Sequence, residues 1–397
     1  MGRSRTRVGP VAVALVVTGV LAGSCSSSGE TVVGGATPLP VTPASVAPVD
    51  VTIAATGDVL PHAAVNDSAR RAAGGDGYDY RPSFARIAPD ISAADVGLCH
   101  LETPLSPDHT GLTQPGIKVF NTPHEMADAL HDAGYDGCDV ASNHTWDQGL
   151  QGIADTRDVM RAAGLQYAGT SPTASERGVV GWYEVGGEGD TGGGVRVAQL
   201  AYSYTAANRG EPSAEVPADA PWSGASLWPA RGAGGIRDDA RAARDEGADL
   251  VVVSMHWGAE YVTEPTDDQR SIARALLRSD DVDLVLGTHV HVVQPCERID
   301  GKYVFYGLGN SLSNQSPQTA SDLRPETQEG VLVRLQLTKG DDGTVRTTAR
   351  YQPTRVELDG HVIEPATPEH HPETYERVTA TLGSLGDDSC PIAPLRP

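Results

Sequence analysis

Six short stretches of this chain pair an apolar run with a potential metal ligand at or near its end: Ile53–Asp58, Gly97–Glu102, Cys138–His144, Val251–Gly258, Leu284–His291 and Tyr303–Asn310. Apolar runs of strand length that stop at a polar residue are how an α/β fold builds a site. Side chains just past the carboxyl ends of neighbouring strands converge on one crevice. Asp, Glu, Asn and His arriving from separate strands supply the mixed oxygen and nitrogen donors of a hydrolytic divalent-metal centre. No single piece is rare; the repetition carries the reading.

Between these runs the pattern alternates strand and helix. Thr122-Pro123-His124-Glu125 has the form of a capping box with proline at the first helical position. Met126, Ala127, Leu130 and Ala133 continue the helical spacing, and Gly134 supplies the stop. Further helices are predicted over 149–163, 235–246, 265–278 and 373–382, and strands over 137–142, 195–202, 249–255 and 282–287. This order argues for a largely parallel central sheet. Residues 330–338 and 345–358 alternate like antiparallel strands and read as a second sheet on the same core. Two stretches break the rhythm. Residues 184–194, nearly all Gly, Glu and Asp, read as a hairpin tip, and the long connection 206–234 reads as a lid. Its Trp222 and Trp228 either line a substrate groove or anchor the connection on the core.

At 397 residues with a formal charge of −22, the chain has ample material for a core and no Lys/Arg cluster of the kind phosphate contacts need, which excludes a general nucleic-acid binder. An anionic ligand would need a metal to offset the repulsion locally. Arg3, Arg5 and Arg7, the apolar stretch Val11–Leu21 and small residues before Cys25 have the form of a lipoprotein signal segment over 1–24. The expectation is a lipidated Cys25 at the extracellular face of the cell membrane, with plain secretion as the alternative. Residues 25–50, rich in Ser, Thr, Pro and Gly, read as a flexible tether. The four remaining cysteines suit two disulfides in an oxidising compartment. Of three connectivities, Cys99–Cys138 and Cys296–Cys390 are preferred, because the first pair precedes proposed ligands on strands that could be neighbours.

The chemistry gathers at the strand ends. Asp58, after Gly57, is placed as a carboxylate ligand, and Glu102 could bridge two ions. Asn143 and His144 set a neutral oxygen ligand beside a proton donor, with Asp147 able to fix the tautomer of His144. His256 ends a buried strand. His289 and His291 would share one face of an extended segment by alternation. Several imidazoles favour manganese, zinc or iron over magnesium alone.

Gly57-Asp58, Leu101-Glu102-Thr103-Pro104-Leu105, Ser142-Asn143-His144 with Asp147 and Gly149, His256-Trp257-Gly258 with Glu260, Gly287-Thr288-His289-Val290-His291 and Gly307-Leu308-Gly309-Asn310 occur in one order. Together they resemble the bacterial capsule-synthesis CapA family, whose founding members serve poly-γ-glutamate production at the cell surface. The resemblance covers 51–315 and leaves 316–397 as strands and a helix completing the domain. It looks like a branch of the calcineurin-like metallophosphoesterases, which implies a four-layer α/β/β/α sandwich. It further implies Asp58 and His291 on a first metal, Glu102 as the bridge, Asn143, His256 and His289 on a second, and His144 as general acid. One departure stands out. The superfamily pattern begins Asp-x-His, whereas Val59 and Leu60 follow Asp58 here, which leaves the first metal weak, absent or completed by His62 or His100.

The expectation is therefore a metal-dependent hydrolase of one or two divalent ions, acting on an anionic capsule polymer or a phosphoester, with a capsule synthesis complex as the expected partner. The rival is a non-catalytic surface factor that holds an anionic polymer through a degenerate metal site.

Overall fold

The computed structural model describes residues 49–186, 194–208, 210–340, 344–386 and 388–396. The expected signal segment, the tether up to residue 48 and the hairpin tip at 187–193 lie outside these residues.

Period-two alternation of apolar side chains builds two sheets back to back. The first has nine strands. Its main path runs Val362–Pro365, Val345–Glu357, Glu329–Lys339, Val49–Val59, Val96–Leu101, Gly137–Asp139, Gln166–Ala168. Asn310–Leu312 pairs with Val49–Val59, and Ile392–Pro394 with Val345–Glu357. The second sheet has six strands in the order Cys296–Ile299, Lys302–Phe305, Leu284–Thr288, Leu250–His256, Val195–Ser203, Gly181–Val185. In the first sheet Val49–Val59, Val96–Leu101 and Gly137–Asp139 run parallel to one another, as do Val195–Ser203, Leu250–His256 and Leu284–Thr288 in the second. The antiparallel strands predicted near 330–338 and 345–358 extend the first sheet alongside Val49–Val59 and do not make a second one.

Alternation fixes which face each side chain takes. Val51, Ile53, Leu98, Val331 and Val333 meet Val197, Val252, Leu284, Leu286 and Phe305 in one buried layer between the sheets. The intervening Val251, Val253, Met255, Val285 and Val304 pack with Ile236 and Ala240 of helix Trp228–Asp245 and with Ala273 and Leu276 of helix Asp267–Leu277. On the opposite side Cys99, Leu101 and Leu332 pack with Val65, Met126, Leu130 and Met160 from three further helices, Ala63–Ala72, Glu125–Asp132 and Gly149–Ala162. The result is helix, sheet, sheet, helix: the four-layer sandwich. Each buried Val, Leu, Ile or Phe contributes about 1.5–3 kcal/mol of apolar transfer.

Two local expectations are corrected. Thr122–Pro123 pairs with Leu105–Ser106 as a short parallel ladder, so it is extended and cannot cap. The helix begins at Glu125 with no side-chain cap, while a capping box does form at Thr266 and Gln269. The helix predicted from Gly235 starts earlier, at Trp228, and is interrupted at Gly232, whose φ of 61° lies outside the helical region. Both disulfides are present with the preferred connectivity. Among the described residues no helix is long and apolar enough to cross a membrane.

Candidate metal centre

Parallel register sets the site. Asp58 lies opposite His100 on one side and Asn310 on the other, and Glu102 directly follows Leu101, the partner of Val59. In the second sheet His256 is level with Thr288, and His289 and His291 follow just beyond it. Backbone segments at these strand ends approach closely, and glycine makes that possible. A Cβ on Gly57 would sit 1.9 Å from the Gly309 carbonyl oxygen, and one on Gly287 would sit 2.0 Å from that of Tyr306. Gly57, inside the strand Val49–Val59, is thus needed for backbone contact.

The alternation expected for His289 and His291 is also corrected. The strand ends at Thr288, and the two histidines take left-handed backbone, with φ of 87° and 57°. Such conformations cost on the order of 1–3 kcal/mol each in a non-glycine residue and persist only where the surroundings enforce them. Here the His289 backbone N–H donates to Asp58 Oδ1 at 3.1 Å. The two rings still face one site, with centroids 6.1 Å apart.

The structure brings all six expected ligands together. Ligand atoms of Asp58, Glu102 and His291 lie within 4.8 Å of one another, as do those of Glu102, His256 and His289, so Glu102 is common to both sets. Glu102 Oε1 stands 3.7 Å from His291 Nε2 and 3.9 Å from His256 Nε2. Asn143 Oδ1 accepts from His256 Nε2 at 2.8 Å, and Thr288 Oγ1 sits 3.1 Å from His256 Nδ1. Asp58 Oδ2 is 3.3 Å from His291 Nδ1.

Burial dominates the electrostatics. It pushes the Glu102 carboxyl up to about 7. It also pushes the Asp58 carboxyl up, but His291 and His100 outweigh it and hold Asp58 below the usual range. Burial works against charge on His291 and His100, yet Glu102 and Asp58 raise the first to about 10, and Asp139 raises the second to about 9. His289 falls to about 3 and His256 also falls, both chiefly through burial.

These donors fit a divalent cation. Asp58 Oδ2, His100 Nε2, His289 Nδ1 and both Glu102 oxygens are buried without a hydrogen-bond partner. Each such atom costs about 1–3 kcal/mol, more if charged, unless something else satisfies it. Five of them on residues of interlocking donor sets are the signature of a cation cradle.

Sequence reasoning named His62 and His100 as alternatives, and the geometry separates them. His100 joins Asp58 and His256 in a third donor set, its Nδ1 held by Asp139 at 2.7 Å. His62 belongs to no donor set among the described residues; its Nδ1 turns to the Leu60 carbonyl at 3.0 Å. Asn310, which closes the last of the six stretches, orients His291: its Oδ1 is 3.1 Å from His291 Nδ1, and its amide donates to Gln315 and the Thr327 carbonyl. Tyr204, not foreseen, lays its ring against His289 at 4.3 Å. A tyrosine shortly after a strand gives no signal that would single it out.

His144 stands at the edge of the site. Asp147 Oδ2 accepts from its Nδ1 at 2.8 Å and from the Phe120 backbone N–H at 2.6 Å. The Phe120 ring meets the imidazole edge-on at 4.6 Å. A cavity of about 430 Å³ opens over His144, His289 and His291, walled by Phe120, Tyr204, Trp228, Trp257 and Tyr261. Trp228 therefore lines the groove, while Trp222 anchors the connection by donating to the Ser171 carbonyl.

The sequence profile of a family described as bacterial capsule synthesis protein PGA_cap matches residues 52–315, more than half of the 397-residue chain. The chain belongs to that family. Among its relatives, the PGA biosynthesis protein CapA of Bacillus subtilis (strain 168) is 26% identical over 266 residues, covering 67% of this chain and 63% of its own. The capsule biosynthesis protein CapA of Bacillus anthracis is 26% identical over 298 residues, covering 74% and 65%. The chain thus spans slightly under two thirds of the length of these capsule-synthesis relatives. A probable polyglutamine synthesis accessory protein of Mycobacterium tuberculosis (strain ATCC 25618 / H37Rv) is 30% identical over 229 residues, covering 55% and 56%. Among solved structures, the calcineurin-like phosphoesterase YfkN from Bacillus subtilis is similar with a TM-score of 0.45 and 14% identity, over 83% of this chain and 98% of that one.

Proposed function

We propose that this member of the capsule synthesis family is a metal-dependent hydrolase acting on an ester or amide bond of an anionic polymer, in the synthesis or export of a capsule. The observation that carries the reading is Glu102: both oxygens are buried and unpartnered, and they lie between two sets of donors. Asp58, Glu102 and His291 would hold one ion, with His100 beside Asp58, and Glu102, Asn143, His256 and His289 would hold the other. Divalent cations so held supply Lewis acidity toward the scissile group and lower the pKa of bound water toward neutrality.

The remaining residues do the protein's own work. Asp147 occupies His144 Nδ1, which leaves Nε2 to deliver a proton to the leaving group. Phe120 keeps that imidazole in place through its ring and, through its N–H, fixes Asp147. The aromatic wall restricts water around the reacting bond. The names of the Bacillus relatives, which tie them to PGA and capsule biosynthesis, support the choice of polymer.

A carboxylate-oriented imidazole beside the donors, in none of their sets, favours catalysis over mere retention of a polymer. The test is His144→Ala in the full chain, assayed with manganese on a simple aryl phosphodiester and on poly-γ-glutamate. Metal content should stay unchanged while turnover drops by about 10²–10⁴-fold. Unchanged turnover, or loss of metal together with turnover, would contradict the assigned role. A wild-type chain that binds metal but turns over neither probe would favour the polymer-holding rival.

A further inference from the structure

A second group of donors lies outside this centre. His109, in the loop between Leu105–Ser106 and Thr122–Pro123, and His124 and Glu125, at the start of helix Glu125–Asp132, bring three ligand atoms within 4.8 Å of one another. Glu125 Oε2 is 2.9 Å from His109 Nε2 and 3.6 Å from His124 Nδ1. In a tetrahedral zinc site, metal–ligand distances of about 2.0–2.1 Å put neighbouring ligand atoms about 3.3 Å apart. The two measured separations bracket that value.

The group is held in shape. The other carboxylate oxygen of Glu125 accepts from the Tyr78 backbone N–H at 3.3 Å, which leaves Oε2 turned toward both imidazoles. The imidazole rings stack nearly parallel, 10° apart in plane with centroids at 4.9 Å, and the Tyr78 ring meets His109 edge-on. His124 Nδ1 is buried without a hydrogen-bond partner. His109 keeps a left-handed backbone, with φ of 64°. The positive end of the helix works against a cation here, but Glu125 and Asp128 in its first turn offset it.

We infer that His109, His124 and Glu125 form a second, peripheral metal site for a zinc-class divalent cation, independent of the Glu102 centre. Two imidazoles and one carboxylate suit zinc and its transition-metal neighbours and disfavour magnesium and calcium. The fourth position is left to water, because the side chains of His109 and His124 are 35% and 38% exposed. An ion here clips the loop bearing His109 to the helix bearing Glu125. The same loop runs on to Lys118 and Phe120 in the wall of the main cavity, so the ion also steadies the residues that hold Asp147.

The experiment is equilibrium dialysis of the full chain against micromolar zinc, with elemental analysis, and cobalt substitution read by visible d–d absorption. His109→Asn with His124→Ala should bind one equivalent fewer zinc than the unaltered chain; asparagine is chosen because it tolerates left-handed backbone. Glu102→Gln with His289→Ala should keep that equivalent. Glu125→Gln alone, a smaller change should the double variant fail to fold, should weaken the same equivalent by at least tenfold. Equal zinc in the unaltered chain and in the His109/His124 variant would overturn the site, as would absence of zinc from the Glu102/His289 variant. Failure of the main-centre reading would show separately, as a Glu102→Gln variant with undiminished metal.

Discussion

The two sheets contribute unequally to the centre. The nine-stranded sheet and the loops at its strand ends bring Asp58, Glu102, Asn143 and His100, including both buried carboxylates of the donor sets. The six-stranded sheet brings His256 and, just beyond its strand end, His289 and His291. The first group keeps Asp58 and His100 on paired strands, with a register shift beside Asp58, whereas the second depends on two left-handed residues past Thr288. The halves are joined by the apolar layer between the sheets and by the Gly307–Gly309 connection, whose Gly309 carbonyl approaches Gly57 too closely to admit a side chain. The difference teaches that the core positions the ligands but does not satisfy them. Asp58 and Glu102 are left with buried, unpartnered oxygens, which only a cation or the opposing imidazoles can neutralise.

The sharpest way to break this division is to remove one ligand from each half. Asp58→Asn and His289→Ala should each weaken metal binding by more than about a hundredfold, beyond the range usual for a supporting residue. The carboxylate variant should also alter His291, because Asp58 contacts it directly at 3.3 Å. Isothermal titration with manganese decides it, and an unchanged affinity in either variant would remove that half from the centre.

A smaller effect follows from the protons. Glu102 and Asp58 hold His291 protonated up to about 10, and burial holds Glu102 partly protonated near 7. Both must lose their protons to ligate, so metal uptake at pH 7 should release protons and affinity should rise as pH rises toward 10. Calorimetry in buffers of differing ionisation enthalpy reads this directly; no buffer dependence would contradict it.

The smallest effect compares the two disulfides. Cys99–Cys138 links neighbouring strands of the first sheet across 39 residues, and Cys296–Cys390 ties the edge of the second to the C-terminal tail across 94. By loop-closure entropy, removing the second with paired alanines should cost about 0.8 kcal/mol more than removing the first, each costing about 2–5 kcal/mol. Denaturant unfolding of the two variants measures it, and the reverse order would show that packing between neighbouring strands outweighs chain entropy.

What the sequence made legible was what local pattern controls. Apolar runs ending at Asp58, Glu102 and His256 announced strand ends, and those strand ends meet. Alternation sorted Val252 from Val253 onto opposite faces. His100 was harder to read, because its place in the site comes from being level with Asp58 and Asp139 on neighbouring strands, a register that no single segment encodes. Thr122 and Glu125 have capping-box spacing, but pairing with Leu105–Ser106 overrode it and freed Glu125 for His109. The need for glycine at 57 was not legible, because its reason, the carbonyl of Gly309, lies more than two hundred residues away in sequence.

The central claim is that Glu102 is shared by two ion-binding sets. Its most direct test is the divalent-metal content of the purified full chain and of Glu102→Gln, both carrying His109→Asn and His124→Ala to remove the peripheral site, after equilibration with manganese and desalting. The account predicts up to two ions per chain in the parent and loss from both sets in Glu102→Gln. A parent without metal, or a Glu102→Gln variant that retains the full complement, would contradict it.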